Sequence, residues 1–201
     1  MKLVLATNNR DKITEIRALL GELPITILTR DDFPDFPEIP ETASTLEGNA
    51  ELKASGIYQA TGIPALADDT GLEVDALDGA PGVFAARYAG EGASYEDNCR
   101  KLLAELQGTP KDKRQARFRC VIALDWGGRL DKAEGIVEGF ITDSLQGESG
   151  FGYDPVFYYP PLGKTFAEMT PGEKNKVSHR ALALAGARKL IIRHLEKSQK
   201  E

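Results

Sequence analysis

The chain has 201 residues, of which 41% are hydrophobic and 28% charged, and its formal net charge is −6. This length favours one domain, residues 1–201, with a sizeable buried core, and the composition is that of an ordinary globular protein. The acidic balance argues against a nucleic-acid partner, which needs clustered Lys and Arg, but it allows a small phosphorylated ligand held by local cations.

The cysteines and the apolar segments indicate a cellular compartment. Cys99 and Cys120 lie far apart without C-x-x-C spacing, which favours reduced thiols packed as small apolar groups. No apolar stretch reaches transmembrane length, and the opening MKLVLATNNRDK has too short an apolar segment for a signal peptide. We therefore expect a cytoplasmic protein with no membrane partner.

The first part of the chain predicts a strand, a helix, a second strand and a long loop. Leu3–Thr7 is a short apolar run closed by a turn signal, and Asn8–Asn9 then provide helix-start chemistry. Ile25–Leu28 fits a second strand. Residues Arg30–Thr45 are rich in Pro, Asp and Glu, and a loop of this length is usually functional or disordered.

The next elements are a capped helix and a strand that ends on acids. Ser44 with Glu47 resembles a capping box for a helix that runs to about Thr61. The apolar run Ile63–Ala67 predicts a strand, followed by an acidic turn that begins at Asp68.

The later part of the chain predicts two helices and a hairpin. Ser94 caps the first helix with Asp97, and the buried stripe of that helix contains Leu102, Leu103 and Leu106. Strict alternation over Gln115–Trp126 predicts a strand, and the Gly-Gly pair that follows predicts a tight turn into a return strand ending near Thr142.

The last helix is expected to begin after Ser178. Its predicted inward-facing residues are Ala181, Leu184, Ala185, Ile191 and Leu195. Interleaved helices and strands with one hairpin predict an α/β fold with a mixed sheet.

Two adjacent carboxylates, Asp68 and Asp69, follow the predicted third strand, and Thr70 comes next. Ligands of α/β sheets bind at the carboxyl ends of strands, and Mg²⁺ prefers one or two carboxylates plus substrate phosphates. These acids are therefore candidates for metal binding or base catalysis. The alternative is a solvated turn, because Asp and Gly are common turn residues.

A candidate anion site follows the first strand. A helix N-terminus offers unpaired backbone N–H groups and a partial positive charge, and a lysine adds a full charge. The segment consists of Thr7, Asn8, Asn9, Arg10, Asp11 and Lys12. The alternative is an ordinary capped helix with a solvated lysine.

A second candidate pair joins the acidic loop to the following helix. Glu41 is a candidate to share a metal with Asp69, with Glu38 and Glu47 as rival carboxylates. Lys53 is a candidate phosphate ligand, although most such lysines are simply on the surface.

Two further groups suit a base and an anion. In SGFGYDP, residues 149–155, glycines flank an aromatic residue, which permits the close approach of a flat ligand, and Asp154 can accept hydrogen bonds. Lys174 precedes His179 and Arg180, where cations near a helix start suit an anionic or carbonyl-bearing ligand. The alternatives are a packed glycine-rich turn and a structural histidine.

Six blocks of the chain together resemble the inosine triphosphate pyrophosphatases, also called non-standard purine NTP or dITP/XTP pyrophosphatases. The blocks are ATNNRDK, NAELKA, ADDTGLEVDALDGAPGVFAARYAG, QARFRC, GFGYDPVF and EKNKVSHRALAL. They occur in the family's order, and the resemblance covers nearly the whole chain, roughly from Lys2 to Leu195.

The resemblance implies an elongated mixed sheet with flanking helices, in two lobes around a central nucleotide-binding cleft. It also implies a homodimeric, Mg²⁺-dependent enzyme that hydrolyses the purine nucleoside triphosphates dITP, ITP and XTP to the monophosphate and pyrophosphate. Such an enzyme removes deaminated purine nucleotides from the precursor pool.

By position, the resemblance implies that Asp69 is the catalytic proton acceptor, with Asp68 open as an alternative or a helper, and that Glu41 and Asp69 bind the metal. The implied substrate-binding residues are Thr7, Asn8, Asn9, Arg10, Asp11, Lys12, Lys53, Thr70, Phe151, Gly152, Tyr153, Asp154, Lys174, His179 and Arg180. Thr70 stands where serine is more usual, and it retains the hydroxyl group.

Two rival functions differ in activity. One is a similar enzyme for methylated or pyrimidine nucleoside triphosphates, and the other is a nucleotide sensor without catalysis. Asp69 beside a second carboxylate favours chemistry over simple binding, because binding alone does not need a pair of acids.

Overall fold

A computed structural model describes residues 1–198 of the chain. Over these residues the α-helices are α1 (Arg10–Leu20), α2 (Leu46–Thr61), α3 (Tyr95–Glu105), α4 (Pro171–Val177) and α5 (His179–Ser198). The strands are β1 (Lys2–Leu5), β2 (Thr26–Leu28), β3 (Ala65–Val74), β4 (Pro81–Gly82), β5 (Gln115–Asp125), β6 (Leu130–Ile141), β7 (Phe157–Tyr159) and β8 (Lys164–Thr165).

The strands form one sheet in the order β2-β1-β3-β5-β6-β7-β8, and β4 pairs with β3. Strand β1 is parallel to β2 and to β3, whereas β7 is antiparallel to β6 and to β8. The predicted α/β class with a mixed sheet is therefore confirmed.

The chain divides into two compact units that are interleaved in sequence. Unit 1 contains residues 1–69, 120–135 and the segment from Arg180, and unit 2 contains residues 70–119 and 136–179. Each unit has its own core. The single-domain organisation and the central cleft remain predictions.

The core of unit 1 is mainly aliphatic. Helix α1 contributes Ile16 and Leu20, which are fully buried at helical spacing and pack with Leu3 and Leu5 of β1. Helix α5 adds a stripe of buried residues: Ala183, Leu184, Ala187 and Ile191. The prediction was wrong for Ala185, which is exposed because it points away from this stripe.

The core of unit 2 is built around aromatic rings. Phe118 of β5 lies 4.6 Å from Phe157 and 5.8 Å from Phe166, measured between ring centroids. The His179 ring stacks on Phe118 at 4.3 Å. Aromatic pairs at these distances add to the stabilisation from burial.

The hairpin predicted between β5 and β6 is present. Its two central residues, Gly127 and Gly128, both have positive φ, 86° and 92°. The positive φ favours glycine at Gly127, and a Cβ there would lie 2.1 Å from the Tyr58 hydroxyl, so the Tyr58 side chain would have to move.

Two local predictions were wrong. Helix α2 is capped by Thr45 rather than Ser44, because the Thr45 hydroxyl accepts a hydrogen bond from the Gly48 N–H at 3.1 Å. The acidic residues do not form a turn after the third strand: β3 continues through Asp68 and Asp69 to Val74.

No described helix has the length and apolarity needed to cross a membrane.

Candidate active site

The Lys53 ammonium group is the centre of a cluster of oxygen atoms in unit 1, here called the Lys53 cluster. It donates to Glu41 Oε1 at 2.7 Å, to Asp69 Oδ1 at 2.9 Å and to the backbone carbonyl of Asp68 at 2.7 Å. Asn49 Nδ2 lies 3.3 Å from the second oxygen of Asp69. The sequence-predicted residues Glu41, Lys53 and Asp69 are thus in direct contact.

The local helix geometry explains how Lys53 reaches these acids. Asn49 and Lys53 are four residues apart on α2, so they share the helix face that is buried. Asn49 Oδ1 also accepts from the Ala43 N–H at 2.9 Å, which ties the acidic loop to the helix near Glu41. The rival carboxylate Glu38 has 81% of its side chain exposed and pairs with Arg30 instead.

Electrostatics within the Lys53 cluster keep the lysine charged. Burial alone lowers the pKa of Lys53, but the nearby carboxylates of Asp69, Asp68 and Glu41 raise that pKa above its ordinary value. Burial and the nearby Glu41 carboxylate raise the pKa of Asp69, and their effect outweighs that of Lys53 and Lys12, which lower it. A carboxylate with a raised pKa is a better proton acceptor than an ordinary one.

A second group of charges, here called the Arg180 network, surrounds Asp68. Asp68 Oδ2 lies 3.1 Å from Lys12 Nζ and 3.1 Å from Arg180 Nε. Arg180 Nη1 also contacts Glu15 Oε2 at 2.5 Å. Burial by itself raises the pKa of Asp68, but Lys12, Arg180 and Lys53 outweigh it and hold that pKa far below its usual range.

Asp68 and Asp69 have different partners because they are neighbours in a strand. Successive side chains of a strand point to opposite faces of the sheet. Asp68 therefore contacts Lys12 and Arg180, whereas the Asp69 side chain contacts Lys53. One dipeptide supplies a carboxylate with a lowered pKa and one with a raised pKa.

The predicted anion-binding segment, residues 7–12, contains the N-cap and the first turn of α1. Asn9 Oδ1 accepts from the backbone N–H groups of Asp11 and Lys12, at 2.9 and 3.2 Å. The Thr7 hydroxyl accepts from the Asn9 N–H at 3.2 Å. The side chains of Asn8, Arg10 and Asp11 are exposed, so Lys12 is the member of this segment that joins the acids.

Unit 2 contains a separate group, here called the Phe151 segment (residues 150–154 with Lys174). Asp154 Oδ2 accepts from the Phe151 N–H at 2.9 Å and from Lys174 Nζ at 2.6 Å. The Lys174 ammonium lies 4.6 Å from the centroid of the Phe151 ring, a cation–π distance. A side chain on Gly150 would meet Asp154 Oδ2 at 2.1 Å, so glycine is needed here.

Two other predicted residues of unit 2, Tyr153 and His179, are buried in its core. The Tyr153 hydroxyl donates to the Ala85 carbonyl at 2.8 Å, and the Gly152 carbonyl accepts from Cys99 Sγ at 3.3 Å. His179 is 3% exposed and stacks on Phe118. Thr70 is half-buried and directly follows Asp69 in β3.

Two residues of these groups were absent from the sequence prediction, Glu15 and Asn49. Helical spacing could have identified both, because Glu15 lies three residues after Lys12 and Asn49 four residues before Lys53.

Among the described residues, no group of three or more His, Cys, Asp or Glu side chains is arranged to hold a metal ion.

Known proteins resemble this chain over nearly all of its length. A dITP/XTP pyrophosphatase of Geobacter sulfurreducens is 54% identical over 185 residues, which are 92% of this chain and 93% of the relative. Another from Desulforamulus reducens is 50% identical over 194 residues, 96% of each chain. A solved HAM1 protein of Coxiella burnetii has 41% identity and a TM-score of 0.88, covering 96% of this chain and 99% of its own.

The predicted family resemblance is therefore confirmed, and the fold agrees with that of the solved relatives. A sequence model of the Ham1 family matches residues 3–190. The chain belongs to the Ham1 family.

Proposed function

We propose that this chain hydrolyses dITP, ITP and XTP to the nucleoside monophosphate and pyrophosphate in a Mg²⁺-dependent reaction, which removes deaminated purine nucleotides from the precursor pool. The predicted enzyme class agrees with the names of relatives at 50% and 54% identity, dITP/XTP pyrophosphatases. The observation that supports the chemistry most is the Lys53 cluster, where acids and a lysine meet. We also propose a homodimer, from the family resemblance, a cytoplasmic location, from the cysteines and apolar segments, and no nucleic-acid partner, from the net charge of −6.

The residues of the Lys53 cluster fit a hard divalent cation. Oxygen atoms of Glu41, Asp68 and Asp69 already converge on one positive charge, the ammonium group of Lys53, within 2.9 Å. Mg²⁺ is usually bound by one or two carboxylates together with substrate phosphates. Glu41 and Asp69 would be those carboxylates, and the bound ion would neutralise charge on the polyphosphate and polarise the scissile bond.

The lysines are suited to hold the phosphate chain. The side chain of Lys12 is 17% exposed, at the N-terminal turn of α1, where backbone N–H groups also favour anions. The side chain of Lys53 is 11% exposed, and its partners Glu41 and Asp69 are the proposed metal-binding carboxylates. When Mg²⁺ and the polyphosphate bind, Glu41 and Asp69 would turn to the metal ion, and a phosphate oxygen would take their place beside the Lys53 ammonium group.

Asp69 is suited to accept the proton of the attacking water. In the proposed reaction the water oxygen forms a bond to the α-phosphorus, the bond from that phosphorus to the bridging oxygen breaks, and pyrophosphate leaves with the bond's electron pair. Asp69 takes the proton, since burial and Glu41 raise its pKa. Asp68 remains ionised between Lys12 and Arg180, which makes it a poor proton acceptor.

The Phe151 segment is suited to a purine. The Phe151 ring can stack on a base, and stacking of this kind contributes about 1–3 kcal/mol per base. A 6-oxo group accepts a hydrogen bond from a donor such as a backbone N–H, whereas the 6-amino group of adenine leaves that donor unpaired at a cost of about 1–3 kcal/mol. The base contact predicted for Arg180 remains a prediction.

A substrate panel tests the proposal. Purified chain with Mg²⁺ is given dITP, ITP, XTP, GTP, ATP, a methylated purine nucleoside triphosphate and a pyrimidine nucleoside triphosphate. Binding of each nucleotide, released pyrophosphate and released orthophosphate are measured separately. We expect pyrophosphate from dITP, ITP and XTP, with ATP at least about tenfold slower, in keeping with one unpaired donor. Orthophosphate as the product contradicts the proposal, binding of ITP without turnover indicates a sensor, and a preference for methylated or pyrimidine nucleotides indicates the rival enzyme.

A further inference from the structure

The Arg180 network contains a carboxylate that the proposed reaction does not use, Glu15. The four charges alternate in sign from Glu15 to Arg180, to Asp68 and to Lys12, with contacts of 2.5, 3.1 and 3.1 Å. The side chains of Arg180 and Asp68 are 2% and 0% exposed, and that of Glu15 is 14% exposed. The network ends at Lys12, the most exposed of the four at 17%.

Stability alone is a poor explanation for such an arrangement. Desolvating two ion pairs costs several kcal/mol per ion, and apolar residues of similar size often give equal or better stability. The hydrophobic core of unit 1 is mainly aliphatic, so apolar packing was available to this unit as an alternative. A buried chain of charges that ends at a partly exposed lysine points instead to control of that lysine.

The geometry shows how this control would operate. Lys12 and Glu15 are three residues apart on one face of α1, and Arg180 and Asp68 close a loop between them. The same oxygen of Asp68 is shared by Lys12 and Arg180. While Glu15 holds the guanidinium group in place, Arg180 takes part of the charge of Asp68, so that Asp68 cannot turn fully toward Lys12.

We propose that Glu15 is a positioning residue, which holds Arg180 against Asp68 and thereby keeps the Lys12 ammonium group directed at the polyphosphate. This inference rests on the proposed function, because it takes Lys12 as a phosphate ligand. It assigns Glu15 no contact with substrate.

The test measures binding of inorganic triphosphate by calorimetry, without divalent cation, to the wild type and to Glu15→Gln. We expect the Kd to rise about tenfold, which corresponds to ~1.4 kcal/mol. A purely electrostatic effect has the opposite sign, since the substitution removes a negative charge near an anion site and would tighten binding. Unchanged or tighter binding by Glu15→Gln therefore overturns the proposal.

A double-mutant cycle with Lys12→Met separates positioning from general damage. If Glu15 acts through Lys12, adding Glu15→Gln to Lys12→Met causes no further loss of affinity, because coupled residues are not additive. A loss of the same size in both backgrounds contradicts the positioning role. The matched control is Glu51→Gln, which removes an exposed partner of Lys132 elsewhere in unit 1 and should leave binding unchanged.

A second variant covers the case in which Glu15→Gln does not fold, as judged by circular dichroism. Glu15→Asp retains the charge but shortens the reach by one methylene group, and we expect about threefold weaker binding, within the range for a weakened charged hydrogen bond. Binding equal to the wild type would contradict the proposal. Release of pyrophosphate from dITP by the wild type is measured in parallel, so a wild type that binds triphosphate without turnover contradicts only the proposed function.

Discussion

The two compact units bury polar groups in different ways. In unit 1 the buried charges contact one another, as in the Lys53 cluster and the Arg180 network. In unit 2 the buried ion pair of Lys174 and Asp154 lies in the Phe151 segment, whereas the buried cation Arg114 binds the backbone carbonyls of Thr109, Thr142 and Leu106. Unit 1 thus has the charges suited to polyphosphate chemistry, while unit 2 has a packed support for the Phe151 segment.

The largest expected effect separates chemistry from folding in unit 1. Asp69→Asn should lower turnover of dITP by about 10²–10⁴-fold, the usual contribution of a general base, because the amide cannot accept the proton. Folding should be largely retained, since the amide oxygen can still accept from Lys53. Steady-state pyrophosphate release and thermal unfolding measure the two effects.

Asp125→Asn is the matched control for this substitution. Asp125 is also a buried aspartate of unit 1, but it binds Ser55 and the Gly127 N–H rather than the Lys53 cluster. We expect this variant to lose stability and to keep most of its turnover. Near wild-type turnover in Asp69→Asn would overturn the assignment of the base.

The next effect concerns packing in unit 2. Phe118→Ala should lower the free energy of unfolding by about 3–5 kcal/mol, because it leaves a cavity beside Phe157, Phe166 and His179. Urea denaturation measures the change, and Phe84→Ala, at a ring that is 59% exposed, is the control with little expected loss. A loss below about 1 kcal/mol for Phe118→Ala would show that the aromatic core contributes less than its burial indicates.

The smallest effect is a pH dependence at the surface of unit 2. The Glu173 carboxylate accepts hydrogen bonds from Lys164 and from Thr170, the N-cap residue of α4, and these contacts lower its pKa from 4.5 to about 2. Because the folded-state pKa is lowered, its contribution to stability is present above pH 4.5 and is lost as the pH falls toward 2. Glu173→Gln should therefore have a lower Tm than the wild type at pH 7.

The difference in Tm between Glu173→Gln and the wild type should shrink as the pH falls below 4.5. Thermal unfolding followed by circular dichroism from pH 7 to pH 3 gives this difference directly. A difference that stays constant over this range would mean that the charge of Glu173 makes no contribution.

Elements with a strong local pattern could be predicted from the sequence. Alternation identified β5, and the Ser94 capping box identified the start of α3. Glu41 and Lys53 were both predicted as site residues, but their direct contact was not, and only the family resemblance selected Glu41 over Glu38 and Glu47. Short strands such as β7 and β8 have too few residues to show a period, and they were not predicted.

The course of β3 could not be predicted because its stability depends on distant residues. Two adjacent acids locally favour a turn, and burying them in a strand requires partners such as Lys12 and Arg180, which come from other parts of the chain. The contact of Glu15 with Arg180 could not be predicted for the same reason, since Arg180 lies at the start of the last helix.

The position of two acids in the middle of β3 has a consequence for the length of that strand. Insertion or deletion of a single residue before Asp68 would turn every following side chain to the other face of the sheet. After an insertion, Asp68 would take the place beside Lys53 and Asp69 would move to the position of Thr70, so that no acid would lie beside Arg180 although both would still be present. The spacing along this strand is therefore as restricted as the identity of its acids, and relatives that act in the same way should tolerate changes of length in the loops around β3 but not within it.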